Sequence, residues 1–302
     1  MADTVRSVIH QQDEDYELIV VDDGSPDRSA EIVKSILSKT SVDYRIIHTE
    51  NRGVSAARNT GLEHATGEYI IMVDGDDVLA EDFLSTYRDL MEKYPGGDIY
   101  STSFTIYSDD KFIEQPMTDK PVMLYASKQA QKAFFYRHPR FLLPTMLFRR
   151  SFLNNHNILF DEKVRYSEDI QFIWRALVYN ELTVVHSVYS GYKYILHPGS
   201  TMTSAGVDKI MTWHEGFQKL DKEIHSYLAD EIREAFVPQG FFSMLHGITK
   251  MSPYKCFKEI YDKTGSAGKL QFHGTIVSNK VKLVATLTTL CPRLGYCIMK
   301  IV

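Results

Sequence analysis

Two short apolar runs, each ending abruptly in an acidic turn, constrain this chain more than any other feature. Residues 16–21 (YELIVV) run into Asp22-Asp23-Gly24-Ser25, and residues 68–73 (EYIIMV) run into Asp74-Gly75-Asp76-Asp77. Between them, residues 27–37 place Ala30, Ile32, Val33, Ile36 and Leu37 at helical spacing, residues 44–48 (YRIIH) read as a strand, and residues 54–65 as a helix. A helix over 83–91 and a strand over 98–101 continue the alternation. Strands that are apolar throughout are buried on both faces. The alternation therefore predicts an α/β protein with a mostly parallel central sheet flanked by helices. In such sheets ligands bind beyond the carboxyl ends of the strands, where both acidic turns fall.

The middle of the chain is less regular. Residues 128–136 and 170–179 read as helices, with Ser167 as an N-cap for the second. Residues 144–149, 182–186 and 189–195 read as strands. From Lys209 onward the pattern is helical, broken by Pro238, Pro253, Gly265, Gly268 and Pro292. The expected organisation is an α/β domain over 1–205 and a helical C-terminal extension over 206–302.

Charge and cysteine usage narrow the partners. The net charge is −5, but residues 249–302 hold nine Lys/Arg against two acids, leaving 25 basic against 37 acidic residues over 1–248. An acidic body argues against nucleic acid, whose phosphates need a basic surface. Cys256, Cys291 and Cys297 form no metal-like spacing, which argues against a zinc site or a disulfide framework and suits a reducing cytoplasm. The opening MADTVRSVIHQQDEDYE lacks the apolar stretch of a secretory signal, and no run reaches the roughly 18 apolar residues a spanning helix needs.

Asp74, Asp76 and Asp77 put three carboxylates within four residues, where like charges repel unless a cation or solvent separates them. Mg²⁺ or Mn²⁺ suits one or two carboxylates plus phosphate oxygens and water, so DGDD points to a metal holding a diphosphate; a solvated turn capping the next helix is the plainer alternative. Asp22 and Asp23 suit a ribose or base edge, or simply a cap and turn before the next helix. Glu168 and Asp169 at a helix start suit catalysis, or only the helix dipole. Trp174 and Tyr179 read as core residues.

In combination these segments resemble the family 2 glycosyltransferases, inverting enzymes with the GT-A fold. The resemblance is carried by RSVIHQQ (6–12), ELIVVDDGSPDRSAEI (17–32), ENRGVSAARNTGLEHATGEYIIMVDGDD (50–77), YSEDIQFIWRAL (166–177) and YKYILHPGSTMT (192–203). It covers residues 3–205 and is strongest over 16–80. It implies a nucleotide-diphosphate-sugar donor, UDP-linked in many members, and a polysaccharide or lipid-linked oligosaccharide acceptor, as in capsule or exopolysaccharide synthesis. By resemblance, Asp23 contacts the uracil side of the donor with Asp22 beside it, Asp74 lies near the ribose or hydrates the metal, Gly75 belongs with these donor-binding residues, and Asp76, with Asp77 as rival, ligates Mn²⁺ or Mg²⁺. Asp169 becomes the general base, with Glu168 positioning the acceptor or the base. Arg58 and Asn59 wall the donor pocket, Arg58 reaching the phosphates or pairing with a surface acid. His197 is a metal ligand or an ordinary loop histidine.

One departure stands out. Family members begin with a strand before the first helix, whereas this sequence opens inside that helix. A gap in the sheet and weakened donor binding are expected, through a truncated gene model or a fragment. Two other readings compete with transfer: a degenerate, non-catalytic partner in a polysaccharide synthase complex, and a sugar-nucleotidyltransferase. The latter class carries a Gly-rich, Arg/Lys-bearing loop after its first strand, and the sequence shows none. Finally, residues 281–302 are apolar with Lys282, Arg293 and Lys300 interspersed. They suit helices lying on the inner, cytoplasmic face of the plasma membrane, or a helical pair closing the core.

Overall fold

The computed structural model describes residues 1–108, 111–112, 121–196, 207–272 and 277–301. In chain order these form α1 (Ala2–Ile9), β1 (Glu17–Asp22), α2 (Ser29–Leu37), β2 (Asp43–His48), α3 (Val54–His64), β3 (Tyr69–Ile70), β4 (Val78–Leu79), α4 (Phe83–Lys93), β5 (Ile99–Ser108), β6 (Lys111–Phe112), β7 (Val122–Ala126), α5 (Ser127–Tyr136), β8 (Met146–Arg149), α6 (Arg150–Asn155), α7 (Glu168–Leu177) and β9 (Thr183–Ile195). Helices follow: α8 (Val207–Ile224), α9 (Asp230–Met251), α10 (Tyr254–Lys263), α11 (Ser266–Lys269), α12 (Asn279–Leu290) and α13 (Pro292–Ile301). The chain divides into two compact units, Met1–Glu162 with Phe172–His197, and Lys163–Gln171 with Pro198–Val302. The second unit thus takes in the start of α7 as well as the helices that follow residue 206.

In the first unit the fold is α/β with helices flanking the sheets, but the sheet is mixed. β1–β2 and β5–β9 pair in parallel, whereas β8, β7, β6 and β4 join their neighbours antiparallel. The βα alternation that forces parallel pairing stops near residue 99, and from there strands return without a crossover helix between every pair. β9 is a single 13-residue strand through Val188 and Tyr189, where the apolar pattern suggests two strands. The β1–β2 pair shares no ladder with the seven-stranded sheet, in which β3-β8-β5-β9-β4 run in order while β6 pairs with β5 and β7 with β9. Each of β1 and β3 therefore keeps an edge with no strand partner among the described residues. Strand β3 is two residues long, although the apolar run continues to Val73.

Apolar side chains from both sides of the sheet form the core. Phe83, Tyr87 and Leu90 of α4 pack with Tyr100, Leu147, Val185 and Tyr192. A smaller cluster of Val5, Val33 and Leu37 seals α1 and α2 against Leu18 and Val20 of β1. Trp174 is buried edge-on against Phe134. Tyr179 stacks on His156 at 3.7 Å.

The second unit is helical in its described residues. Helix α9 runs unbroken through Pro238, at the cost of one backbone hydrogen bond to the preceding turn. Pro253 and Pro292 do mark boundaries, before α10 and at the first position of α13. No helix among the described residues is long and apolar enough to cross a membrane.

Candidate active site

The first acidic turn is built around two carboxylates with different tasks. Asp22 ends β1, and parallel pairing sets it opposite His48 at the end of β2. Its Oδ1 accepts the Ser25 N–H at 3.0 Å and its Oδ2 lies 3.0 Å from His48 Nδ1. Hydrogen bonds from Ser25 and then from His48 hold this carboxyl below its usual range. Asp23 faces the next loop: Oδ1 accepts Arg52 N–H at 2.9 Å and Oδ2 accepts Gly53 N–H at 2.7 Å. These bonds fix the approach to α3. The Thr49 hydroxyl also donates to Oδ1 at 3.3 Å. A carboxylate has about four lone-pair sites, so Asp23 keeps acceptor capacity beyond these three bonds. Gly24 follows with φ +68, and a Cβ there would come 2.9 Å from Asn51 N, so the turn admits only glycine without strain.

The second turn follows β3. Asp74 Oδ1 accepts a bond from the Arg58 guanidinium at 2.8 Å, and the same guanidinium lies 5.3 Å over the Phe160 ring. Helix α3 therefore links the two turns: its entry is bonded to Asp23, and Arg58, inside its second turn, is bonded to Asp74. The Gly75 carbonyl accepts the Thr4 hydroxyl at 2.8 Å, which seats the start of α1 on this turn. Asp76 is exposed. Asp77 points the other way: it is buried, accepts the Tyr192 hydroxyl on Oδ2 at 2.5 Å, and accepts Ile195 N–H on Oδ1 at 2.8 Å. Burial pushes its carboxyl up to about 6.

The remaining candidates sit as follows. Asn59 bonds the backbone of Phe160 through both ends of its amide, at 3.0 and 2.9 Å, and reaches Glu162 at 3.2 Å. That use clamps the 160–162 segment to α3. Glu168 and Asp169 are the first two residues of α7, half-buried and belonging to the second unit. Ser167 precedes them with φ +54, a left-handed conformation unlike the extended backbone of an ordinary N-cap. His197 lies outside the described residues. The sequence assigns no role to Tyr192, Ile195, His48 or Thr4, although Tyr192 and Ile195 fall in the YKYILHPGSTMT segment. His48 carried a signal of its own, since parallel pairing of β1 with β2 puts it beside Asp22.

Among the described residues, no group of three or more His, Cys, Asp or Glu side chains is placed to hold a metal ion. Asp77 is turned inward and Asp74 is paired with Arg58, which leaves Asp76 as the exposed carboxylate of the turn. That donor set fits a hard divalent cation held by one protein carboxylate, with phosphate oxygens and water completing the shell, and it does not fit an all-protein cage.

Comparison with known proteins identifies the family. The chain belongs to the glycosyl transferase family 2, whose profile matches residues 1–156. It is 34% identical over 175 residues to the uncharacterized glycosyltransferase EpsJ of Bacillus subtilis (strain 168), a match covering 56% of this chain and 49% of that protein. The chain spans about half the length of that curated relative. Among solved structures, S. aureus TarS 1–349 in complex with UDP-GlcNAc superposes with a TM-score of 0.62 at 18% identity, over 98% of this chain and 85% of that one. The mannosyltransferase PcManGT from Pyrobaculum calidifontis, in complex with GDP-Man and Mn²⁺, gives a TM-score of 0.51 at 15% identity, over 99% and 82%. Both share the GT-A-like fold.

Proposed function

We propose that this chain is an inverting glycosyltransferase that moves a sugar from a nucleotide-diphosphate donor, UDP-linked, to a hydroxyl of a polysaccharide or lipid-linked acceptor. The observation that carries this reading is the bridge made by α3, which ties Asp23 at one strand end to Asp74 at the other through Arg52, Gly53 and Arg58. The bridge fixes two carboxylate turns beyond the carboxyl ends of strands, where open α/β sheets bind nucleotides. That TarS was crystallised with UDP-GlcNAc, and PcManGT with GDP-Man and Mn²⁺, supports a nucleotide-sugar donor and a divalent metal.

In this reading the unused acceptor sites on Asp23 receive a donor N–H from the base, with Asp22 beside it. Arg58, oriented by Asp74, meets donor oxygens. Gly75 and Asp74 border the ribose, and Asn59 holds the wall behind them. Asp76 holds Mn²⁺ or Mg²⁺, which supplies charge neutralisation for the departing diphosphate. Asp77 serves by fixing the turn, and His197 would be a second ligand. Asp169 accepts the proton of the acceptor hydroxyl as its oxygen bonds to the anomeric carbon and the bond to the diphosphate breaks, with Glu168 steering the hydroxyl. A lipid-linked acceptor brings the reaction to the cytoplasmic face of the membrane.

The test is release of nucleoside diphosphate from a panel of UDP- and GDP-sugars, with and without Mn²⁺, in the presence of saccharide acceptors. Turnover with at least one donor is expected, and Asp169→Asn should lower kcat by roughly 10²-fold or more while leaving UDP binding intact. Binding of UDP with no turnover on any donor would favour the non-catalytic partner instead. Retained turnover in Asp169→Asn would remove Asp169 as the base.

A further inference from the structure

Helices α12 and α13 form a pair joined by the single residue Cys291. Their inward sides are settled: Val284, Ala285 and Thr288 of α12 and Gly295, Tyr296 and Met299 of α13 are buried. The Tyr296 ring lies against Tyr254 and Phe257 of α10 at 5.5 and 5.3 Å.

The outward sides are unusual for a surface. On α12, Leu283 and Leu290 are seven residues apart and 60% and 78% exposed. On α13, Leu294 and Ile301 are again seven apart and 45% and 86% exposed. Seven residues return a helix to nearly the same face, so each helix presents a repeated large apolar side chain to solvent. Cations accompany them: Lys280 and Lys282 on α12, Arg293 and Lys300 on α13, with no Asp or Glu anywhere from 277 to 301. Arg293 and Lys300 rest over the rings of Tyr254 and Tyr296, at 5.9 and 5.8 Å, and each directly precedes an exposed apolar residue, Leu294 or Ile301.

We infer that the outer faces of α12 and α13 dock on an anionic lipid surface, with the leucines and Ile301 entering the acyl boundary and the cations meeting the headgroup phosphates. Exposed apolar side chains interspersed with positive charge, on helices that carry no carboxylate, are what interfacial adsorption requires. A symmetric contact with a second copy of the same patch fits less well. A two-fold axis would set each cationic face against itself with no acid to compensate. This proposal narrows the membrane-face reading above to named residues, and it does not depend on the chemistry of transfer.

The experiment is flotation of the full chain with vesicles of equal parts phosphatidylglycerol and phosphatidylcholine, and with phosphatidylcholine alone. The wild type should float with the anionic vesicles only. Leu290→Ser with Ile301→Ser, two highly exposed positions whose change spares the packing, should lower vesicle-bound protein by roughly tenfold, with the helical circular dichroism unchanged. Lys280→Gln with Lys282→Gln should lower it as well, and added salt should mimic that change. Equal flotation of wild type and variants, or none with either vesicle, overturns the inference. So does a wild-type dimer that the Leu290→Ser, Ile301→Ser variant converts to monomer, which would assign the patch to a second copy. Donor turnover measured without lipid on the same samples reports on the transferase reading separately, so either reading can fail alone.

Discussion

The Asp77 carboxylate reaches across 115 residues of chain to accept the Tyr192 hydroxyl, and its other oxygen takes the Ile195 N–H. The last aspartate of DGDD thus fastens the turn to β9, next to the β4–β9 pairing of Val78 with Lys193 and Leu79 with Tyr192. Asp77→Ala should destabilise the protein by about 1–3 kcal/mol, because it strands a buried hydroxyl and a half-buried N–H without an acceptor. Asp76→Ala, at an exposed position, should stay within about 0.5 kcal/mol of wild type yet abolish the Mn²⁺ dependence of donor turnover. Urea denaturation of both variants separates the two aspartates. Equal losses of stability would mean that the turn is held some other way.

Arg58 couples charge to packing. Its guanidinium meets Asp74 on one side and the Phe160 ring on the other. Arg58→Lys keeps the charge but loses the planar fork and the stacking. It should therefore raise KM for the donor severalfold, while Arg58→Leu raises KM further and also lowers kcat. Steady-state kinetics on the best donor of the panel check this. A lysine variant indistinguishable from wild type would reduce Arg58 to a point charge.

Stability should depend on pH through His186. This ring is fully buried, with Nδ1 2.8 Å from the Ser101 hydroxyl and its face edge-on to Phe141. Burial pushes it down from 6.5 to about 4. Between those values the unfolded chain binds the proton and the folded chain does not, so stability falls as pH drops from about 6.5 towards 4 and is level above. Asp77 acts in the opposite sense. Its carboxyl is raised from 3.8 to about 6, so the cost of burying its charge is relieved as pH falls through that window. Comparing wild type with His186→Gln at pH 7 and pH 5 isolates the histidine. The wild type should lose about 2 kcal/mol more than the variant over that step. An equal pH response in both would show that His186 protonates freely in the fold.

Much of the first unit was legible because its signals are local. Apolar runs ending in DDGS and DGDD announce strands and turns, and their spacing places α2, α3 and α4 within a few residues of where they lie. What was not legible depends on partners far away in sequence. Asp76 and Asp77 are chemically identical neighbours, and only Tyr192 and Ile195 distinguish the exposed one from the buried one. Asn59 resembles a pocket residue until Phe160, 101 positions on, engages its amide. The mixed sheet was missed because a buried strand looks alike whichever way its neighbour runs. Pro238 looked like a helix end because local rules assign a break to proline, whereas the buried side chains of α9 around it, among them Phe236, Phe241 and Leu245, hold the helix together.

Gly295 offers a test of how the helical pair is assembled. A Cβ at this position would come 2.1 Å from Thr288 Oγ1 and 2.6 Å from Thr288 Cα. The first atom belongs to a hydroxyl already bonded to the Val284 carbonyl at 2.7 Å, and the second is backbone. Neither can give way locally, so α12 and α13 must separate to admit a methyl group. Gly295→Ala should therefore cost about 1–3 kcal/mol. Thr288→Ala in the same chain should recover only part of that loss, because it removes the hydroxyl contact and leaves the backbone one. A double-mutant cycle read by urea denaturation gives the coupling between the two positions. The separation would also disturb Tyr296, whose hydroxyl donates to the Ser252 carbonyl at 2.9 Å, so its effect should reach α9. Amide exchange around residue 252 should accelerate in Gly295→Ala. Unchanged exchange there, together with wild-type stability, would mean that the two helices are not packed as closely as Gly295 and Thr288 imply.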